Sequence, residues 1–211
     1  MTPLPPPSSF VVIVPVKPPA RAKSRLDALP ADRRRDLAAA FARDTVAAAR
    51  RTPHVAAVLV VTDDHLFAEQ LRADGCEVIP DGASDNLNAT LQQAAEEAGR
   101  RWPDSMPVAL CADLPCLSSD DLAVALAEVD GTSFVRDAAG TGTTMYAAPL
   151  ASFDPSFGLN SAFLHGTHGA REILAPAPTL RLDVDEPADL ERAIELGVGE
   201  HTAGVWRRQM Q

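Results

Sequence analysis

The 211-residue chain is poor in aromatics, at 5% with one Tyr and two Trp. It has 19 basic against 29 acidic side chains and a formal net charge of -10. Such a chain lacks both the overall positive charge and the stacking rings of a general nucleic-acid binder. No apolar run approaches the length of a membrane-spanning helix. The opening MTPLPPPSS has no basic or long apolar segment and reads as a disordered tail over 1–9, not a signal. Cysteine is scarce: Cys76, Cys111 and Cys116 show no zinc-type pairing and suit a reduced, cytoplasmic protein. Five scattered histidines form no metal or triad spacing; only His165 and His168 are close, and they read as surface residues. Glycine is absent between Phe10 and Leu26, which excludes a Gly-rich phosphate nest of the P-loop or dinucleotide type there.

What is present is a chain 46% hydrophobic, enough for one sizeable core. A β-branched run over Phe10–Val14 predicts a strand buried on both faces. It leads directly into Lys17, Arg21, Lys23 and Arg25, four cations in nine residues. Pro15, Pro18 and Pro19 stiffen that connection. Cations just beyond a strand's C-terminal end lie where open α/β sheets bind ligands, and the fitting guest is a polyphosphate. The plain alternative is a solvated basic loop.

The remaining pattern predicts helices over about 33–49, 65–73, 86–98, from Asp120 to about Val129, over 161–168 and from Pro187 to Leu196. Strands are expected at 56–61, 77–79, 107–111, 133–136, 144–147 and 179–184. The βαβαβ rhythm predicts an α/β fold with a doubly wound, mostly parallel sheet and helices on both faces. The strands at 133–136 and 144–147 are expected as a short antiparallel edge. Residues 10–197 read as one domain, 198–211 as a weakly ordered tail. Exposed sheet edges would allow a homodimer.

Asp113 follows a buried strand, and Asp183 and Asp185 share one side of an extended segment. Convergence of the three beside the cationic loop would suit magnesium bridging substrate phosphates. The competing reading is that each caps a helix, Asp185 best of all. Asn86 and Asn88 could cap a helix or read a base edge. Thr143 and Thr144, with the backbone of Gly142, could cradle a small anion or make a tight turn. So could Gly158 and Ser161, the latter through its hydroxyl and nearby backbone amides.

The segments VPVKPPARAKSRL, CADLP, GTGTTMY, FGLNSA and LDVDEPADL, in this order, resemble the guanylyltransferases of deazaflavin-coenzyme biosynthesis. These act on phosphoenolpyruvate or 2-phospho-L-lactate and share their Rossmann-like fold with molybdenum-cofactor and sugar-nucleotide nucleotidyltransferases. The resemblance spans Val12 to about Leu196. It implies phosphate contacts from Lys17, Arg21, Lys23 and Arg25, and magnesium on Asp113, Asp183 and Asp185. Thr143, Gly158 and Ser161 would hold the small phosphorylated acid, and Asn88 would lie by the nucleotide. GTP is the implied co-substrate, and the product would pass to a downstream coenzyme-assembly transferase. High Ala, Arg and Pro usage suggests a GC-rich bacterial source, whose family members look like phosphoenolpyruvate users. DGASDNLNA departs from the family's usual approach to that helix, which bears on how Asp85 and Asn86 meet the base or ribose. The alternatives are a molybdopterin or sugar-phosphate transferase, against which the glycine-free loop counts, and a non-catalytic nucleotide-binding protein.

Overall fold

The computed structural model describes residues 9–17, 29–83 and 86–208. Apart from Ser9, the expected N-terminal tail lies outside them, as do Arg21, Lys23, Arg25 and Asp85.

Four strands run parallel at one side of a seven-stranded sheet: β1 (Phe10–Pro15), β2 (Val55–Val61), β3 (Glu77–Ile79) and β4 (Met106–Leu110). β1 is central because both its faces are apolar. Val12 and Val14 pack into one core layer, Val11 and Ile13 into the other. α1 (Ala31–Arg51), α2 (His65–Ala73) and α4 (Ser119–Ala127) feed the first layer, and α3 (Leu87–Arg101) the second. α1 can lie close on the sheet because its buried stripe is largely alanine: Ala38, Ala42, Ala48 and Ala49.

The sheet continues through β5 (Ser133–Arg136), β6 (Thr143–Ala147) and the two-residue β7 (Arg171–Glu172), in the order β3-β2-β1-β4-β6-β5-β7. The antiparallel strand is therefore not an edge as expected. β6 sits inside the sheet, antiparallel to both β4 and β5, and β7 takes the edge. Total burial of Met145 and Ala147 explains this, since an edge would expose them.

The C-terminal part departs further from expectation. No strand forms over 179–184; Pro178–Arg181 is a single helical turn, α6, started by Pro178. Leu182 and Val184 are buried while Asp183 and Asp185 are half-buried, so the alternation that suggested a strand persists in extended chain. One backbone bond, Val184 N to Asp113 O at 3.0 Å, ties it to the end of β4. α7 (Pro187–Leu196) forms as expected. The supposed loose tail contains α8 (Glu200–Arg207), packed on α1. Asp44 of α1 holds it, accepting from the backbone of His201 at 3.0 Å and Thr202 at 2.8 Å. A carboxylate borrowed from another helix does the work of an N-cap, a signal that no local reading of 197–211 contains.

Candidate active site

β1 and β4 are neighbours whose connections leave in opposite directions along the sheet, the topological switch point at which open α/β sheets bind ligands. Beyond β1 comes exposed Lys17; beyond β4 come Cys111, Ala112 and Asp113. Between them and the start of α3 lies an apolar crevice lined by Pro15, Leu87, Leu91, Cys111 and Phe157.

The three aspartates come together here. Asp183 is pushed up to about 7, by burial first and then by the negative charges of Asp113, Asp185 and Asp137. The N-cap positions of the helices that follow belong to other residues, Ser118 for α4 and Glu186 for α7. Ser118 caps α4, its hydroxyl accepting from Asp121 N at 3.0 Å. Asp189 steadies the start of α7, accepting from the backbone of Asp185 and Glu186 at 3.2 and 2.9 Å. Among the described residues, no group of three or more His, Cys, Asp or Glu side chains could by itself hold a metal ion. The donor set is nevertheless all hard oxygen and all anionic. That fits magnesium of the kind bound by one or two carboxylates and completed by substrate phosphates, rather than a closed protein cage.

Asp113 is fixed from α1. The Thr45 hydroxyl, wholly buried, lies 3.2 Å from Ala112 O and accepts from Leu114 N at 3.1 Å, bracketing Asp113 on both sides. Thr45 carries no sequence signal, because its helical stripe reads simply as apolar packing.

Thr143 opens β6 next to Cys111, whose Sγ lies 3.4 Å from Thr143 O, and a β-bulge sets its direction. Val135 pairs with Met145 but Arg136 with Thr143, so Thr144 is an extra residue in β6. Simple alternation would put Thr143 on the Met145 face. The bulge re-aims it: Thr143 Oγ1 lies 2.9 Å from His165 Nδ1, and the His165 ring stacks on Tyr146 of the opposite face at 4.7 Å. The turn before β6 is closed by Asp137, whose carboxylate accepts from Thr141 N at 2.9 Å and Gly142 N at 2.8 Å. The Gly142 amide is thus not open to a ligand as expected. Gly142 has its own reason to be glycine, since a Cβ there would collide with the Asp137 carboxylate.

Gly158, with φ +134°, and buried Ser161 lie at the entry to α5 (Ser161–Thr167). The backbone amides of Ser161 and Ala162 are less available than the sequence suggested. Ser161 N donates to Gly158 O at 3.2 Å and Ala162 N to Thr141 O at 3.1 Å, which joins α5 to the β6 turn and leaves the Ser161 hydroxyl as the polar group to offer. Asn88 is likewise engaged. Its amide donates to Phe157 O at 3.0 Å and accepts from Phe157 N at 2.8 Å, so it clamps the 153–160 loop and is not an amide free to read a base. Asn86 caps α3, accepting from Ala89 N at 3.1 Å.

His165, a surface residue by its sequence context, is 1% exposed. It sits four residues after Ser161 on the buried face of α5, and that helical phase is the signal that could have found it. Burial, and then nearby His168, lower it to about 4, so it is neutral at pH 7. His168 is exposed as expected.

Comparison with known proteins bears on the fold and on the family. Among solved structures, a nucleotidyl transferase from Methanothermobacter thermautotroptrophicus superposes with a TM-score of 0.58 at 18% identity, covering 89% of this chain and 97% of that one. A cytidylyltransferase from Leptospira borgpetersenii gives 0.56 at 14% identity, covering 95% and 92%. At these identities they establish the nucleotidyltransferase-type fold. In sequence, the phosphoenolpyruvate guanylyltransferase of Thermomonospora curvata is 45% identical over 204 residues, 95% of this chain and 90% of its own. That of Streptomyces scabiei is 45% identical over 208 residues, 94% and 96%. The family described as "Guanylyl transferase CofC like" matches residues 10–209, and the chain belongs to it.

Proposed function

We propose that this protein is a GTP-dependent guanylyltransferase that transfers GMP to phosphoenolpyruvate, releasing pyrophosphate and giving enolpyruvoyl-2-diphospho-5'-guanosine. The observation that carries the reading is the convergence of Asp113, Asp183 and Asp185 just beyond β4, at the same end of the sheet as the one where its parallel neighbour β1 leads into Lys17. The acceptor is read from the relatives named phosphoenolpyruvate guanylyltransferase, 40% to 45% identical over nearly the whole chain.

An oxygen of the acid's phosphate is already anionic at neutral pH, so no general base is needed. It attacks the α-phosphorus of GTP in line. The new P–O bond forms as the α–β bridging P–O bond breaks, and the electron pair leaves with pyrophosphate. Lys17 balances charge on the nucleotide phosphates, and Arg21, Lys23 and Arg25 are assigned the same task. Asp113, Asp183 and Asp185 are the residues that would hold magnesium, which when bound screens the phosphates and stabilises the leaving group. Thr143, Ser161 and the glycine backbone at Gly158 orient the acid's carboxylate and phosphate. Asn88 keeps the Phe157 loop against the apolar crevice, where the base has a surface to lie on. Cys76, Cys111 and Cys116 are thiols that form no disulfide among the described residues, which suits the reducing cytoplasm in which we place the protein.

The test is pyrophosphate release by purified protein with GTP and magnesium, comparing phosphoenolpyruvate, 2-phospho-L-lactate and no acceptor. Release requiring phosphoenolpyruvate is expected. A preference for phospholactate would reverse the acceptor and keep the reaction. Silence with both would overturn the reading.

A further inference from the structure

His165 is tied down from every side by the elements that meet at the acid end of the site. Its Nε2 lies 2.8 Å from Ser156 N, a backbone amide that can only donate, so Nε2 is the acceptor nitrogen. The ring is neutral, and its one proton must therefore sit on Nδ1. Nδ1 lies 2.9 Å from Thr143 Oγ1, so the imidazole donates and the threonine oxygen accepts. The ring cannot turn over to undo this. Tyr146 stacks on it at 4.7 Å, Phe157 meets it edge-on at 5.4 Å and Phe134 lies at 5.7 Å. A flip would also replace both bonded nitrogens with carbon.

Thr143 is left with one choice. Its oxygen is already receiving a proton from Nδ1, and among the described residues the imidazole is its only hydrogen-bond partner. No described residue accepts its own O–H, which is left to be given to a ligand. We infer that His165 is a positioning residue which, by fixing the tautomer through Ser156, makes the Thr143 hydroxyl an obligatory hydrogen-bond donor to an anionic oxygen of the small acid substrate. The inference rests on the proposed contact between Thr143 and that acid. It adds a rule of selection: the subsite takes a carboxylate or phosphate oxygen and rejects a group that must itself donate, because two donors would face each other.

The tautomer is testable in the unmodified protein by the imidazole nitrogen NMR shifts at neutral pH. A proton on Nδ1 is expected; a proton on Nε2, or on both nitrogens, overturns the inference. Three variants then separate its parts. Thr143→Val should raise KM for phosphoenolpyruvate about tenfold and leave KM for GTP unchanged. His165→Gln keeps an acceptor near Ser156 N but loses the donor to Thr143. It should raise the same KM comparably, and the double variant should be no worse than Thr143→Val alone. His165→Asn, which can carry an amide donor near the Nδ1 position, should recover part of the loss. If Thr143→Val has no effect, the contact with the acid fails and this inference falls with it. If Thr143→Val raises KM while His165→Gln does not, or if the two effects simply add, the contact stands and the role of His165 is overturned.

Discussion

Asp183 is the residue at which function and stability pull apart most clearly. Its carboxylate is half-buried among the charges of Asp113, Asp185 and Asp137, an arrangement that costs the folded state unless something cationic enters. Asp183→Asn should abolish most pyrophosphate release while leaving the melting temperature unchanged or higher. A variant that loses activity and melts markedly lower would instead make Asp183 a structural residue. Thr45→Val is the opposite case. It removes a hydroxyl bracketing Asp113 and leaves Leu114 N unsatisfied, so it should cost about 1–3 kcal/mol in denaturant unfolding and lower kcat as well. His165 adds a pH dependence. Its folded value, about 4, lies below the ordinary 6.5, so the unfolded chain takes up the proton first. The contribution is neutral above 6.5 and turns against folding as pH falls from about 6.5 to about 4. Among the described residues, His168, whose charge also lowers the His165 value, and Tyr146, stacked on its ring, are the titratable groups against it. Thermal melts should drop over that window in the wild type and drop less in His165→Gln. None of these three roles can be read from composition. Asp183 was found through its i, i+2 partner, whereas Thr45 and His165 occupy positions in buried stripes whose only sequence signal is a helical period.

At the scale of elements, the helices and the parallel strands follow from local pattern. α2 and β3 occupy the very residues expected, because a β-branched run and a 3.6-residue period each select one conformation before any packing occurs. Elements that depend on a distant partner were misread. α8 is held to α1 by Asp44, and the approach is close enough that a Cβ at Gly199 would strike the Asp44 side chain. Asp44→Ala should therefore destabilise the protein by about 1–2 kcal/mol and speed hydrogen exchange at His201 and Thr202 specifically. Unchanged exchange there would mean that packing of Thr202 and Val205 alone secures the helix.

For the whole molecule, the arrangement predicts how ligands stabilise it. If bound phosphates complete a magnesium site on the aspartates, GTP with magnesium should raise the melting temperature by several degrees. GTP alone, or magnesium alone, should raise it much less. An equal shift without magnesium would mean that the cations alone hold the nucleotide. The sequence by itself determined the α/β class, the order of its helices and parallel strands, and the cationic segment after β1. Each of these is written in near-neighbour spacing or in short motifs. Only the tertiary structure decided that β6 lies inside the sheet, that a bulge at Thr144 turns Thr143 toward His165, and that Asn88 and the Gly142 amide are already occupied. These outcomes depend on strand pairing and on bonds between residues far apart in the chain. A one-residue change of register reverses which face a side chain meets, and no local period records it.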